Sequence, residues 1–255
     1  MSNNYLKMIL NSRVYDVASK TPLDFANNLS RRLANDIWLK REDLQPVFSF
    51  KLRGAYNKIA RLGEAECANG IIAASAGNHA QGVALAAQHR KLKALIVMPR
   101  TTPGIKVKAV QALGGKTLLH GDTYDEAYAH ALQLAEQRGM VFIHPYDDPE
   151  VIAGQGTIAM ELLQQHRDGL QAVFVPVGGG GLIAGIAAYI KALRPDIRVI
   201  GVEPEDAPCM YEALKRKRRV VLDQVGIFAD GVAVRQAGKE PYRLARKYVA
   251  ESILV

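Results

Sequence analysis

The chain has 255 residues, with 33 Lys plus Arg against 25 Asp plus Glu and a formal net charge of +8. Apolar residues make up 49% and aromatic residues 7%, which excludes disordered, collagen-like and low-complexity classes and leaves a globular chain long enough to bury a real core. Cys67 and Cys209 lie far apart with no CxxC spacing, which argues against a disulfide framework and fits a reducing cytosol.

Residues 1–10 carry no sustained apolar run, so no signal peptide is predicted. Ser12–Ser19 reads as helical or irregular and Ile37–Lys40 as a strand. Ser49 precedes an amphipathic helix, with Leu52, Tyr56, Ile59, Ala60 and Leu62 at helical spacing. From residue 70 short apolar strands alternate with helices. Strands are predicted at Gly70–Ser75, Lys93–Met98, Lys116–His120, Val141–Ile143, Ala172–Val177 and Ile197–Val202. Helices are predicted at Asn78–His89, Pro103–Leu113, after a cap at Asp122, at Ile152–Gln165 and at Leu182–Leu193. Continuous Val/Ile/Leu strands imply burial on both faces, and alternating βα units imply a doubly wound parallel sheet, the α/β class.

Ala172–Ile190 is uncharged over 19 residues and imitates a membrane span, but Pro176 and four consecutive glycines make a strand, a turn and a helix the better reading. No membrane partner is expected. Lys215–Arg219 reads KRKRR. With no aromatic interleaving it reads as a solvated helix end, so no nucleic-acid partner is expected. Six scattered histidines show no metal-ligand spacing.

Three elements carry chemistry. In Pro176–Ala184, PVGGGGLIA, a buried strand meets four glycines and a helix start, whose backbone N–H groups and dipole suit a phosphate. Gly179, Gly181 and Ala184 also satisfy a G-x-G-x-x-A pattern with Glu203 at the next strand end, which keeps a nicotinamide site open. Ser75–Gly82, SAGNHAQG, places small residues and a helix start where a carboxylate could sit, or forms an ordinary cap. Lys51 opens a helix, where the dipole lowers a lysine's pKa. Such a lysine is usually solvated, and spacing alone favours that reading; desolvated, it would be a nucleophile for an aldehyde.

Together, Lys40–Asp43 (KRED), Ser49–Ala55 (SFKLRGA), Ala74–Gly82 (ASAGNHAQG), Val151–Thr157 (VIAGQGT) and Pro176–Leu182 (PVGGGGL) resemble the biosynthetic threonine dehydratases, within the tryptophan-synthase-β-like class of pyridoxal phosphate enzymes. The resemblance runs from the N-terminus to Val255. It implies that Lys51 holds pyridoxal 5′-phosphate as an imine and moves the Cα proton. Phe50 would lie against the ring, Asn78 would bond its 3′ oxygen, and Gly231 would pack on its other face. Gly178, Gly179, Gly180, Gly181 and Leu182 would cradle the phosphate. Ser75, Ala76, Gly77, Asn78 and His79 would hold the substrate carboxylate. The implied reaction converts L-threonine to 2-oxobutanoate and ammonia, the first step toward isoleucine, with L-serine as an alternative substrate.

The same resemblance implies a small domain at 70–148 and a larger cofactor domain from 1–69 and 149–255. It further implies a cytoplasmic homo-oligomer, tetrameric in the family. Ala76 stands where related serine racemases place a serine, favouring dehydration over racemisation. Cys209 stands where their cation site needs a carboxylate after Glu203 and Ala207, so no divalent metal is expected. Glu251–Val255 reads as an apolar strand after a helix near Pro241–Ala250. Because the family continues beyond such a strand, the large domain is expected to be incomplete and the regulatory domain absent. The alternative reading is a remnant that binds cofactor without turnover.

Overall fold

The computed structural model describes residues 4–226 and 228–255. Helix α1 (Tyr5–Leu10) precedes strand β1 (Leu23–Phe25), helix α2 (Asn27–Leu33) and strand β2 (Trp38–Lys40), which pairs antiparallel with β1. Helix α3 (Lys51–Ala60) follows. Strand β3 (Ile71–Ala74), α4 (Asn78–His89), β4 (Ala94–Met98), α5 (Gly104–Ala112), β5 (Lys116–Leu119), α6 (Tyr124–Arg138) and β6 (Val141–Phe142) build a parallel sheet of order β5-β4-β3-β6. After α7 (Pro149–Gln165) come β7 (Ala172–Pro176), α8 (Gly181–Leu193), β8 (Arg198–Glu203), α9 (Cys209–Lys215), α10 (Lys239–Tyr248) and β9 (Glu251–Leu254). Strands β7-β8-β9 form a second parallel sheet. The α/β alternation expected from residue 70 onward is present, and α4 has the predicted limits.

Three local expectations change. Helix α6 is capped by Thr123 rather than Asp122. Thr123 Oγ1 accepts from the Glu126 amide at 3.3 Å while the Glu126 carboxylate accepts from the Thr123 amide at 2.9 Å. Only Thr123 has a glutamate at the third helical position to close this reciprocal box; the Asp122 carboxylate pairs with Arg100 instead. Helix α7 begins at Pro149, ahead of Ile152, because Asp148 accepts the Glu150 and Val151 amides and Pro149 needs no amide partner in the first turn. The strands are also less enclosed than their composition implies. β5 and β7 lie at sheet edges, and Phe174 on β7 is 60% exposed. The Lys215–Arg219 run forms a helix end, as its composition implied: Arg216 caps α9 and pairs with Glu212 one turn back.

One core gathers α1, α7, α8 and the β7-β8-β9 sheet around Ile9, Ile152, Ile183, Ile190 and Val199; another packs α3 and α4 on β3 and β4 through Tyr56, Ile59, Val83, Ile71 and Ile96. Helices α3 and α7 approach closely. A Cβ at Gly154 would stand 2.7 Å from the Arg53 carbonyl, so glycine there lets the first turn of α3 seat on α7.

That first turn is also held by buried charge. Arg53 is fully buried. It donates to Glu161 at 2.6 Å, to Glu42 at 2.7 and 2.8 Å, and to Thr157 at 3.2 Å. Lys40 completes the group at 2.6 Å from Glu161. A charge this deep persists only when paired and hydrogen-bonded. These contacts join the segment before α3, α3 itself and α7, and so set where Lys51 begins.

Candidate active site

Lys51 is the first residue of α3. Its backbone amide donates to the buried Ser49 hydroxyl at 3.3 Å. Its Nζ lies 5.6 Å from the Phe50 ring centroid and donates to the Pro145 carbonyl at 3.1 Å. Burial pushes the Lys51 amine down to about 8, because the interior disfavours the ammonium form. A partly neutral amine at ordinary pH is a nucleophile, so the solvated reading that spacing alone favours gives way to the desolvated one.

The Ser75–His79 loop joins β3 to α4. Ser75 Oγ accepts the Gly77 amide at 3.2 Å, which spends that donor locally. No side chain caps α4 among the described residues, and Asn78 at its start is exposed. The His79 ring turns inward and is 3% exposed, with Nε2 at 2.9 Å from the Ile143 carbonyl. A carbonyl only accepts, so Nε2 carries the proton and Nδ1, which has no partner among the described residues, is a bare acceptor. Burial first, and the nearby Lys51 charge second, push His79 down to about 3, so the ring stays neutral. Any anion at this helix start would meet backbone amides, with no cation from His79.

The glycine loop runs from Val177 into α8. Gly180 has φ +91°, a left-handed conformation that places the loop amides ahead of a helix that no side chain caps among the described residues. The Tyr146 ring lies on Gly179, and the Cys209 thiol donates to the Gly178 carbonyl at 3.3 Å. A Cβ at Gly178 would meet Val232 Cα at 3.0 Å, so the Asp230–Val234 segment adjoins the loop. Gly231 is exposed with open space on its Cβ side, and Leu182 packs at the margin of the α8 core.

The nicotinamide alternative fails at Glu203. Its carboxylate is fully buried and accepts from the Met210 amide at 2.8 Å, the Tyr211 amide at 2.7 Å and the Ser252 hydroxyl at 2.9 Å, so it is turned to α9 and β9 and closed to a ribose.

What sequence reasoning missed is the segment Ile143–Asp148, which links the three elements. The Ile143 carbonyl meets His79, and the Pro145 carbonyl meets Lys51. Tyr146 covers the glycine loop and donates to the Gln236 carbonyl at 3.3 Å. The Asp147 carboxylate accepts the first two amides of α10 at 2.7 and 2.9 Å. The available signal was His144 followed directly by Pro145, with Pro149 four residues on, which reads as nothing more than a strand-to-helix turn. Two ion pairs also cross from α5 and α6 to the segment carrying Gly231: Lys106 with Asp230 and Arg235 with Asp125, each at 2.6 Å.

A partly neutral lysine beside an aromatic ring and a glycine-loop helix start suited to a phosphate fit pyridoxal phosphate. Residues 14–255 match the family of pyridoxal-phosphate dependent enzymes, and the chain belongs to that family. It is 58% identical over 251 residues to a biosynthetic L-threonine dehydratase of Burkholderia multivorans, covering 97% of this chain and 50% of that protein. It is 59% identical to the corresponding enzyme of Pasteurella multocida, covering 98% and 49%. The chain thus spans about half the length of the curated relatives it matches. The processed form of threonine deaminase isoform 2 from Solanum lycopersicum superposes with a TM-score of 0.96 at 52% identity, over 98% of this chain and 69% of that one. Maize serine racemase superposes at 0.94 with 31% identity, covering 98% and 76%. The tryptophan-synthase-β-like fold expected from the motifs is therefore the fold of this chain. Among the described residues no helix is long and apolar enough to cross a membrane.

Proposed function

We propose that the protein deaminates L-threonine to 2-oxobutanoate and ammonia with pyridoxal phosphate, acting as a threonine ammonia-lyase. The observation that carries this reading is the Lys51 amine, pushed down to about 8 and aimed at the Pro145 carbonyl beside the glycine loop. The names of the dehydratase relatives support the choice of substrate.

Lys51 Nζ would hold the cofactor, and its amine would take the Cα proton of the substrate. The cofactor when bound supplies an electron sink for the charge left at Cα. The amides of Gly178, Gly179, Gly180, Gly181 and Leu182 would hold its phosphate at the α8 start. Phe50 and Gly231 would flank its ring and Asn78 would bond the ring oxygen. The 75–79 loop (Ser75, Ala76, Gly77, Asn78, His79) holds the substrate carboxylate. Ala76 offers no hydroxyl to return a proton, which favours elimination over racemisation. On this reading residues 70–148 form the small domain, residues 1–69 and 149–255 the larger one, and the protein works as a cytoplasmic homo-oligomer.

The test is to add pyridoxal phosphate to the purified chain and record its visible absorbance together with ketoacid release from threonine and serine. Absorbance with faster release from threonine is expected. Faster release from serine would reassign the substrate, absorbance without release would make the chain a cofactor binder without turnover, and absorbance persisting in Lys51→Ala would overturn the assignment of Lys51.

A further inference from the structure

His144 Nδ1 accepts two backbone amides, from Tyr146 at 3.2 Å and from Asp147 at 2.8 Å. With two N–H groups aimed at it, Nδ1 must carry a lone pair, so the ring is neutral with its proton on Nε2. Burial, opposed by the charges of Asp147 and Asp148, pushes His144 down to about 4 and keeps it in that state. The ring stands edge-on to Tyr146 at 4.7 Å and to Phe142 and Tyr128 at 6.2 Å, which fixes its plane.

The peptide joining Pro145 to Tyr146 is planar and trans. Its N–H and C=O therefore point in opposite directions. Holding the Tyr146 N–H on His144 forces the Pro145 carbonyl to face the other way, where it meets Lys51 Nζ at 3.1 Å. Pro145 has no N–H and a fixed φ, so it adds no competing orientation. We infer that His144 is a positioning residue for the Lys51 amine: its Nδ1 folds the turn that aims the Pro145 carbonyl at Nζ. The inference rests on the reading of Lys51 as the cofactor-binding amine. A carbonyl accepting one N–H of Nζ directs the amine's lone pair away from itself, and it stabilises the ammonium form against the burial that disfavours it.

An asparagine Oδ1 closes the same kind of turn, because it too accepts amides two and three residues ahead. A phenylalanine keeps the ring and its aromatic contacts but has no acceptor. His144→Asn and His144→Phe therefore separate the acceptor from the ring. The readout is the pH midpoint of Lys51 acetylation in the cofactor-free protein, followed by mass spectrometry of the peptide that contains it. In His144→Phe the midpoint is expected to fall by about one pH unit, a tenfold change in proton affinity, the size of one lost charge-assisted hydrogen bond. In His144→Asn it stays at the wild-type value. An unmoved or raised midpoint in His144→Phe, or an equal fall in both variants, overturns the inference. Should His144→Phe fail to fold, nitrogen NMR of the wild-type ring decides: a proton on Nδ1 at neutral pH overturns the inference and one on Nε2 supports it. The acetylation midpoint needs no cofactor, so failure of the Lys51 assignment, seen as absorbance persisting in Lys51→Ala, is read separately.

Discussion

Lys51 Nζ and the Pro145 carbonyl meet at 3.1 Å across 94 residues of sequence, tying the first turn of α3 to the turn that leads into α7. Because the amine lies in a desolvated place, its pKa falls from 10.5 to about 8. At pH 7 roughly one amine in ten is then uncharged, against fewer than one in a thousand for a free lysine. The rate at which cofactor-free protein captures pyridoxal phosphate is therefore expected to rise with pH and level off above about 8. Stopped-flow absorbance checks this, and a rise continuing to pH 10 would show an ordinary, solvated lysine.

The buried ion cluster gives a stability prediction. Glu161→Ala removes the carboxylate paired with Lys40 and one of the two paired with Arg53, while Arg53 is fully buried. Breaking such a pair costs about 3–5 kcal/mol, since the remaining charge is not rehydrated. The urea midpoint should fall accordingly. Because Arg53 sits two residues after Lys51, cofactor capture should slow in the same variant.

At Gly180 the backbone itself is the constraint. Alanine there would hold φ near +91° and bring its methyl against Met210. The left-handed conformation alone costs about 1–2 kcal/mol for a residue with a side chain. Gly180→Ala should lower the thermal midpoint and weaken cofactor binding more than it changes Lys51 acetylation, because it distorts the loop and leaves α3 untouched. Equal binding in the two proteins would remove the loop from the phosphate site.

The ion pairs Lys106–Asp230 and Arg235–Asp125 are short yet mostly exposed. Exposed pairs contribute about 0–1 kcal/mol and are screened by salt. Asp230→Asn should therefore hardly change stability. Both pairs connect the β5-β4-β3-β6 side to the segment beside the glycine loop, so the same change should raise KM for the amino acid and make it less salt-dependent. A large loss of stability with unchanged KM would make these contacts structural only.

Much of this protein is written locally. The limits of α4, the four glycines ahead of α8 and the strand–helix alternation follow from residue types acting on their own neighbours, through caps, glycine turns and apolar periodicity. Thr123 displaced Asp122 as a cap within that same local chemistry, because one residue's difference decides which side chain finds Glu126. Helices α1 and α2 and strand β1 are short, with too few residues for an apolar period to show; α1 is capped by Asn4, whose side chain accepts the Lys7 amide at 3.1 Å, and α2 buries Ser30 while its other residues are exposed.

The chemistry of Lys51 is of the other kind. A lysine at a helix start reads as solvated until a carbonyl 94 residues away and the packing of α3 on α7 remove water from its amine. The resemblance puts His79 among the carboxylate-holding residues, but the Ile143 carbonyl turns its ring inward, and the ribose-acid reading that spacing keeps open for Glu203 ends where α9 and β9 take its carboxylate. Residue types and their spacing determined the class of fold and which backbone could hold an anion, since those depend on nearby dihedrals. Protonation state and side-chain direction depend on desolvation and on hydrogen-bond partners distant in sequence, and these were decided only when the chain folded.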